Sequence, residues 1–306
     1  MTHSRTALIG AIGDTHIALA VGDVDEMSVT QFALLSSADF ASPMEAIARY
    51  LKSVPVPPRS VALAVAGEVT GESVAMAARG WHFSAQDIGA VLGTDRVMLV
   101  PEMEALVRFV PHVQAADLVI VNTGTPTPDT PVLLINCGNS LGAAASLGPK
   151  WTGPIVHGQV DFMDLPGDVH GLKGFDRAAD LLTGPGLMAA YHTLRGAKAN
   201  GSAAAVIKLG LSGDDDIASA TLDLVARSLG QFAGELTLAY GAGRVFMAGT
   251  VASSLLPHRL EQFMQGFTAK GQAAARMEAI PVAIIKTAAD AAMRGAAALF
   301  AARPEA

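Results

Sequence analysis

The stretch 60–88, SVALAVAGEVTGESVAMAARGWHFSAQDI, runs through an apolar strand, a Gly turn, a second strand and a Trp-led, capped helix with almost no spacer. A chain that switches from the two-residue to the helical period this quickly has few folds open to it outside the α/β class. Ser84 followed by Asp87 reads as an N-cap with an acid in the first turn, satisfying orphan amides and opposing the helix dipole. Strand-like runs at 7–12, 17–21, 29–35 and 97–100, a helical period at 44–51 and a helix at 102–112 complete a first α/β lobe.

The order then starts again. Strands at 118–122 and 132–136 lead into a Gly-containing turn at 137–142. Helices follow at 177–182, 186–194 and 217–240, then a strand at 245–248, a helix at 256–267, a strand at 282–285 and a last helix at 289–302. The alternation predicts mainly parallel sheets flanked by helices. With 306 residues, about two domains are expected, here 1–104 with 287–306 and 105–286. The long irregular segment 148–171 is too polar and too rich in Gly and Pro for a core, and is a candidate binding loop.

Composition removes several function classes. The net charge of −7 offers no basic patch to a nucleic acid. Hydrophobic residues reach 51%, yet no apolar run attains the roughly 18 to 20 residues a membrane span needs. The N-terminus reads as a first strand and not as a secretory signal. Cys137 is the chain's one cysteine, which suits a reducing cytoplasm.

The run in 60–88, with its "G-x-x-V-A-M" strand and "W-x-F-S", resembles the bacterial glucokinases, and the likeness extends over nearly the whole chain. It implies a two-lobed actin-like ATPase (ribonuclease H-like) fold with a cleft between lobes, and ATP-dependent phosphorylation of glucose at its 6-hydroxyl. It also implies ATP and Mg2+ as cofactors, a sugar as the small-molecule partner and a possible homodimer. The family's D-x-G-G-T-N phosphate loop falls on Ala11-Ile12-Gly13-Asp14-Thr15-His16, so the leading carboxylate is lost and a new one stands at Asp14. Two like charges about 4 Å apart near a surface repel by about 4 kcal/mol, unless Asp14 itself takes the magnesium ion.

The second phosphate turn, G-x-G-T-G-L-G, falls on Asn136 to Gly142, with Gly138, Asn139 and Ser140 facing the phosphates; the alternative is a tight turn that needs positive φ. Glu102 stands in place of the family's proton-accepting Asp, one methylene longer, and Pro101 replaces an Asn. Such a displacement can cost about a hundredfold in rate. As a first-turn carboxylate beside Glu104, Glu102 is also explained by the helix dipole alone.

The family's E-G-G-H-V-D-F loop is recognisable as 156–162, where Val156 and Gln159 replace its sugar-binding Glu and His, leaving His157 and Gln159 as candidate sugar contacts. A third sugar ligand, a Glu, falls on Ala179 ahead of the kept Thr183-Gly184-Pro185-Gly186-Leu187. Gly249, in a strand-then-"A-G-G-I" turn, is the expected adenosine contact. Hydrogen bonds to charged groups contribute about 1.5 to 3 kcal/mol each, so these replacements predict impaired catalysis. A non-catalytic regulatory protein and a kinase for another small hydroxylated substrate stay open beside glucose phosphorylation. His157, Asp161, Asp164, Asp168 and His170 share one loop, but their spacing matches no compact metal site.

Overall fold

The computed structural model describes residues 6–24, 26, 28–146, 156–160, 163–164, 174–198 and 201–302. Its first elements are β1 (Thr6–Ile12), β2 (His16–Asp23), β3 (Ser28–Ser36), α1 (Pro43–Leu51), β4 (Val61–Val65), β5 (Glu68–Thr70), β6 (Ser73–Met76), β7 (Trp81–Ser84), α2 (Ala85–Leu92), β8 (Val97–Pro101) and α3 (Glu102–Phe109). There follow β9 (Leu118–Asn122), β10 (Val132–Cys137), β11 (Leu141–Ser146), β12 (Val156–Gln159), α4 (Ala178–Leu182), α5 (Gly184–Arg195), α6 (Ala203–Ser212) and α7 (Asp216–Tyr240). The chain closes with β13 (Arg244–Ala248), α8 (Thr250–Leu255), α9 (Leu260–Thr268), α10 (Ala274–Glu278), β14 (Val282–Ile285) and α11 (Ala288–Ala301). It divides into two units, residues 1–113 with 288–306 and residues 114–287.

In the first unit the sheet order is β3-β2-β1-β4-β8. The strand VALAV of β4 is buried at every position because it lies between β1 and β8, parallel to both, and covered strands of this kind read as unbroken apolar runs. α11 packs on α3, β1 and β4, which brings α3 into this unit. A separate antiparallel sheet, β5-β6-β7, is formed by residues 68–84 of the stretch 60–88. There the expectation of a Trp-led helix is corrected: Trp81 and Phe83 are buried while His82 between them is exposed, a two-residue period that forms β7. The helix starts one step later, and its predicted cap is complete, with Ser84 Oγ accepting from the Asp87 amide and the Ser84 amide donating to Asp87 Oδ2 at 2.7 Å.

The second unit repeats the scheme, with order β12-β11-β10-β13-β14-β9. Its longest helix, α7, opens on Asp215, whose carboxylate accepts from the Ala218 amide at 2.8 Å, and stops at Gly241 in the left-handed conformation. α9 packs along α7. In each unit parallel pairing joins three strands, β1–β4–β8 with β8 at the sheet edge and β10–β13–β14 inside the sheet, and every other pair is antiparallel. The mainly parallel sheets expected from alternation are therefore mixed, because the short turns after β1 and β10 can join only antiparallel neighbours.

Three further differences concern the second unit. The segment 148–171 contains an edge strand, β12, and otherwise lies largely outside the described residues. α6 forms behind the cap Ser202 where no helix was expected. The helix expected at 256–267 is a 3-10 turn, Leu256–His258, followed by α9. Among the described residues no helix is long and apolar enough to cross a membrane.

Candidate active site

Register places the first group of candidate residues. Ile12 pairs with Val65 and Val65 with Pro101 across three parallel strands, so the turn 13–15 and Glu102 leave the same edge of the sheet about 10 Å apart, two strand spacings. The carboxyl ends of parallel strands are where open α/β sheets bind ligands. The turn is closed by the Gly13 amide donating to His16 O at 2.9 Å and braced by Ser37, whose amide donates to Thr15 O at 3.0 Å and whose hydroxyl donates to Gly13 O at 2.8 Å. Gly13 is not in the left-handed region.

Asp14 is half-buried, and its Oδ1 is buried without a hydrogen-bond partner. Burial raises its carboxyl above the usual range, and the positive charge of Arg79 pulls part of the way back. Glu102 begins α3 directly after Pro101. Loss of water pushes its carboxyl up to about 7, with the negative charge of Asp14 adding to the rise. A lone pair without a donor at Asp14, near a second carboxylate, fits a hard cation that takes one or two protein carboxylates and fills its other positions with phosphate and water. Among the described residues no group of three or more metal-ligating side chains exists.

The second group sits on the equivalent sheet edge of the other unit. Asn136 pairs with Ala248 in parallel, so the turn 138–140 and Gly249 leave neighbouring strand ends. The two glycines there are glycine for different reasons. At Gly249 φ is +93° and a Cβ would stand 2.3 Å from Cys137 O, so the fold alone demands it. At Gly138 the backbone is outside the left-handed region, and a Cβ would meet nothing closer than Thr250 Oγ1 at 3.6 Å. The turn is tight, but it needs no positive φ at Gly138, and the space over that backbone is of the kind a ligand can use. Asn139 and Ser140 are exposed beside it. The Gly184 amide donates to Gly138 O at 2.8 Å, tying the start of α5 to this turn.

The Glucokinase family profile matches residues 8–162 and 176–303. The chain belongs to the Glucokinase family. A glucokinase of Rhizobium meliloti is 30% identical over 293 residues, spanning 90% of this chain and 86% of that protein. A glucokinase of Cronobacter sakazakii is 28% identical over 306 residues, covering 92% and 93%. The solved glucokinase from an Antarctic psychrotroph superposes with a TM-score of 0.80 at 23% identity over 98% of this chain and 99% of its own. A ROK-family glucokinase from Streptomyces griseus, solved with glucose and AMPPNP, gives 0.69 at 17%, covering 96% and 98%. The fold is the actin-like ATPase fold of these sugar kinases.

Among the family positions, His157 and Gln159 lie on β12, opposite Ala144 and Gly142 of β11. Ala179, in α4, accepts from the Thr183 hydroxyl at 2.8 Å through its carbonyl, and the same hydroxyl accepts from the Gly186 amide at 3.1 Å. The framework of the T-G-P-G-L motif thus persists without its carboxylate neighbour. In the loop that suggested a metal site, Asp164 is paired with Arg177 at 2.7 Å, and Asp161, Asp168 and His170 lie outside the described residues. Arg79 is the residue that sequence reasoning passed over. It stands in a turn with no motif, and what marks it is a contact with Ser37 from 42 positions away.

Proposed function

We propose that the chain transfers the terminal phosphoryl group of ATP to the 6-hydroxyl of glucose, with Glu102 as general base and a rate reduced by its missing sugar ligands. The observation that carries this is the environment of Glu102: a partly buried carboxyl at the strand end that follows Pro101, on the same sheet end as Asp14, with burial first and the Asp14 charge second pushing its pKa up to about 7. A base works best when its pKa lies near the working pH, and a group serving only the helix dipole needs no such shift. In the step, the hydroxyl proton passes to Glu102, the sugar oxygen bonds to the γ-phosphorus, and the bond to ADP breaks. Asp14 would hold a magnesium ion, and the ion would supply neutralisation of the charge on the transferring phosphoryl group. The turns at Gly13–Thr15 and Gly138–Ser140 hold phosphates through backbone amides, Gly249 abuts adenosine, and His157 and Gln159 contact the sugar. The setting is the cytoplasm, where the buried Cys137 thiol stays reduced.

A second acceptor is favoured by one set of residues, Val156, Gln159 and Ala179, which put apolar or neutral groups where the family has charged sugar ligands. A sugar panel in a coupled ADP-release assay separates the two. Glucose as best substrate supports the first reading, and another hydroxylated compound replaces it. Thermal shift with magnesium-ATP and then glucose reads binding through the dependence RT ln(1 + [L]/Kd). Neither stabilisation nor ADP release would overturn both readings and leave a non-catalytic protein.

A further inference from the structure

The loop between β6 and β7 delivers Arg79 to the turn that carries Asp14. Its Nη2 donates to Ser37 O at 2.6 Å, and Ser37 is the residue that braces Gly13 and Thr15, so guanidinium and turn share one anchor. The guanidinium carbon lies 4.8 Å from the centre of the Trp81 ring, which fixes the plane of the fork. Of five N–H donors on a guanidinium, Ser37 takes one, and Nε is buried with no partner. Asp14 Oδ1 is likewise buried with no partner, so the two opposite charges, near enough to feel each other, do not neutralise each other by contact. An oxygen lacking a cation and a nitrogen lacking an anion at one turn are the two halves of a site for a metal-bound phosphate.

We propose that Arg79 is a phosphate-positioning residue: its guanidinium binds the polyphosphate of the nucleotide at the β1–β2 turn and offsets the repulsion from Asp14. This rests on the kinase reading above. It explains how a turn with a carboxylate in place of glycine accepts a polyanion, since an arginine fork matches phosphate bidentately. Lysine is a point charge on a flexible stem and supplies the charge without the fork.

The test measures dissociation constants of tripolyphosphate and of ATP in EDTA by calorimetry for the whole chain and for Arg79→Gln, Arg79→Lys, Asp14→Asn and the Asp14→Asn/Arg79→Gln double variant. Arg79→Gln should weaken both ligands about tenfold to a hundredfold, Arg79→Lys should recover part, and Asp14→Asn should strengthen binding. The double variant should regain most of the loss, because the repulsion that Arg79 offsets is gone. Ligand should also change Trp81 emission in the parent chain and not in Arg79→Gln or Trp81→Phe. Melting without ligand shows which variants fold; should Arg79→Gln fail to fold, Arg79→Lys carries the test.

A loss in Arg79→Gln that Asp14→Asn leaves unchanged would mark a merely structural arginine and overturn the proposal. So would unchanged affinity in Arg79→Gln and Arg79→Lys while the parent chain binds, with the kinase reading intact. A parent chain that binds neither ligand, nor ATP with magnesium, overturns both.

Discussion

The turn after β1 and the turn after β10 hold equivalent places, each joining the middle strand of its sheet to an antiparallel neighbour beside two parallel strands. In the first unit the turn carries a buried, unpartnered carboxylate oxygen and faces a second carboxyl driven up to about 7. In the second it is Gly-Asn-Ser, uncharged, with open space at Gly138 and a forced glycine, Gly249, on the adjoining strand end. One edge is set by its charges and the other by its backbone. The same topology tolerates both, because charge at a strand end perturbs titration and ligand choice, whereas a clash between two strand ends perturbs the fold.

The largest effect that would test this contrast is on turnover: Glu102→Gln should lower the rate of ADP release about a hundredfold to ten-thousandfold, the usual share of a general base. An unchanged rate would remove the charged edge from the chemistry. Next, Gly249→Ala should destabilise by about 3 kcal/mol or more in urea unfolding, since it combines a left-handed backbone with a clash on Cys137 O. Gly138→Ala should cost under about 0.5 kcal/mol. Equal costs would erase the distinction between the two glycines.

The third test is pH. Glu102 binds its proton more tightly folded than unfolded, so between about pH 4.5 and about 7 the native state holds more protons and stability falls as pH rises. The change is at most about 3 kcal/mol and should be absent from Glu102→Gln. Activity should run the other way, rising as pH passes about 7 and the carboxyl ionises.

Fourth, Gly138→Ala should weaken ATP binding by about 1–3 kcal/mol, because its methyl group would fill the open space over the turn that a phosphate would use, the usual cost of an overfilled contact, with melting unchanged. The smallest effect belongs to Asp14→Asn, which removes a neighbouring negative charge and should move the midpoint of the pH–rate profile below about 7.

The sequence was most readable where one physical term decided the outcome. The runs Ala7 to Ile12 and Val61 to Val65 could only be covered strands, and Ser84 with Asp87 could only close a helix. It misled where two periods overlapped: Trp-His-Phe-Ser reads as the start of the capped helix behind it, although burial of Trp81 and Phe83 makes it a strand. The site divides likewise. The family motifs single out Asp14, Glu102, Gly138 and Gly249 as candidates, but nothing local distinguishes Gly138, free of steric need, from Gly249, fixed by it. Arg79 was invisible, because its significance lies in Ser37 and Trp81, which only folding brings to one place. The raised pKa of Glu102 comes first from burial and then from Asp14, in another strand's turn, and neither is written in its neighbours along the chain.

That acidity ties output to the proton level of the surroundings. If Glu102 is the base proposed above, a medium below neutrality would leave it protonated and unable to accept the hydroxyl proton, and output would fall with each further drop. The same proton removes a buried charge and firms up the unit that carries it. On that reading the chain would idle under acid with its architecture intact and resume once neutrality returned.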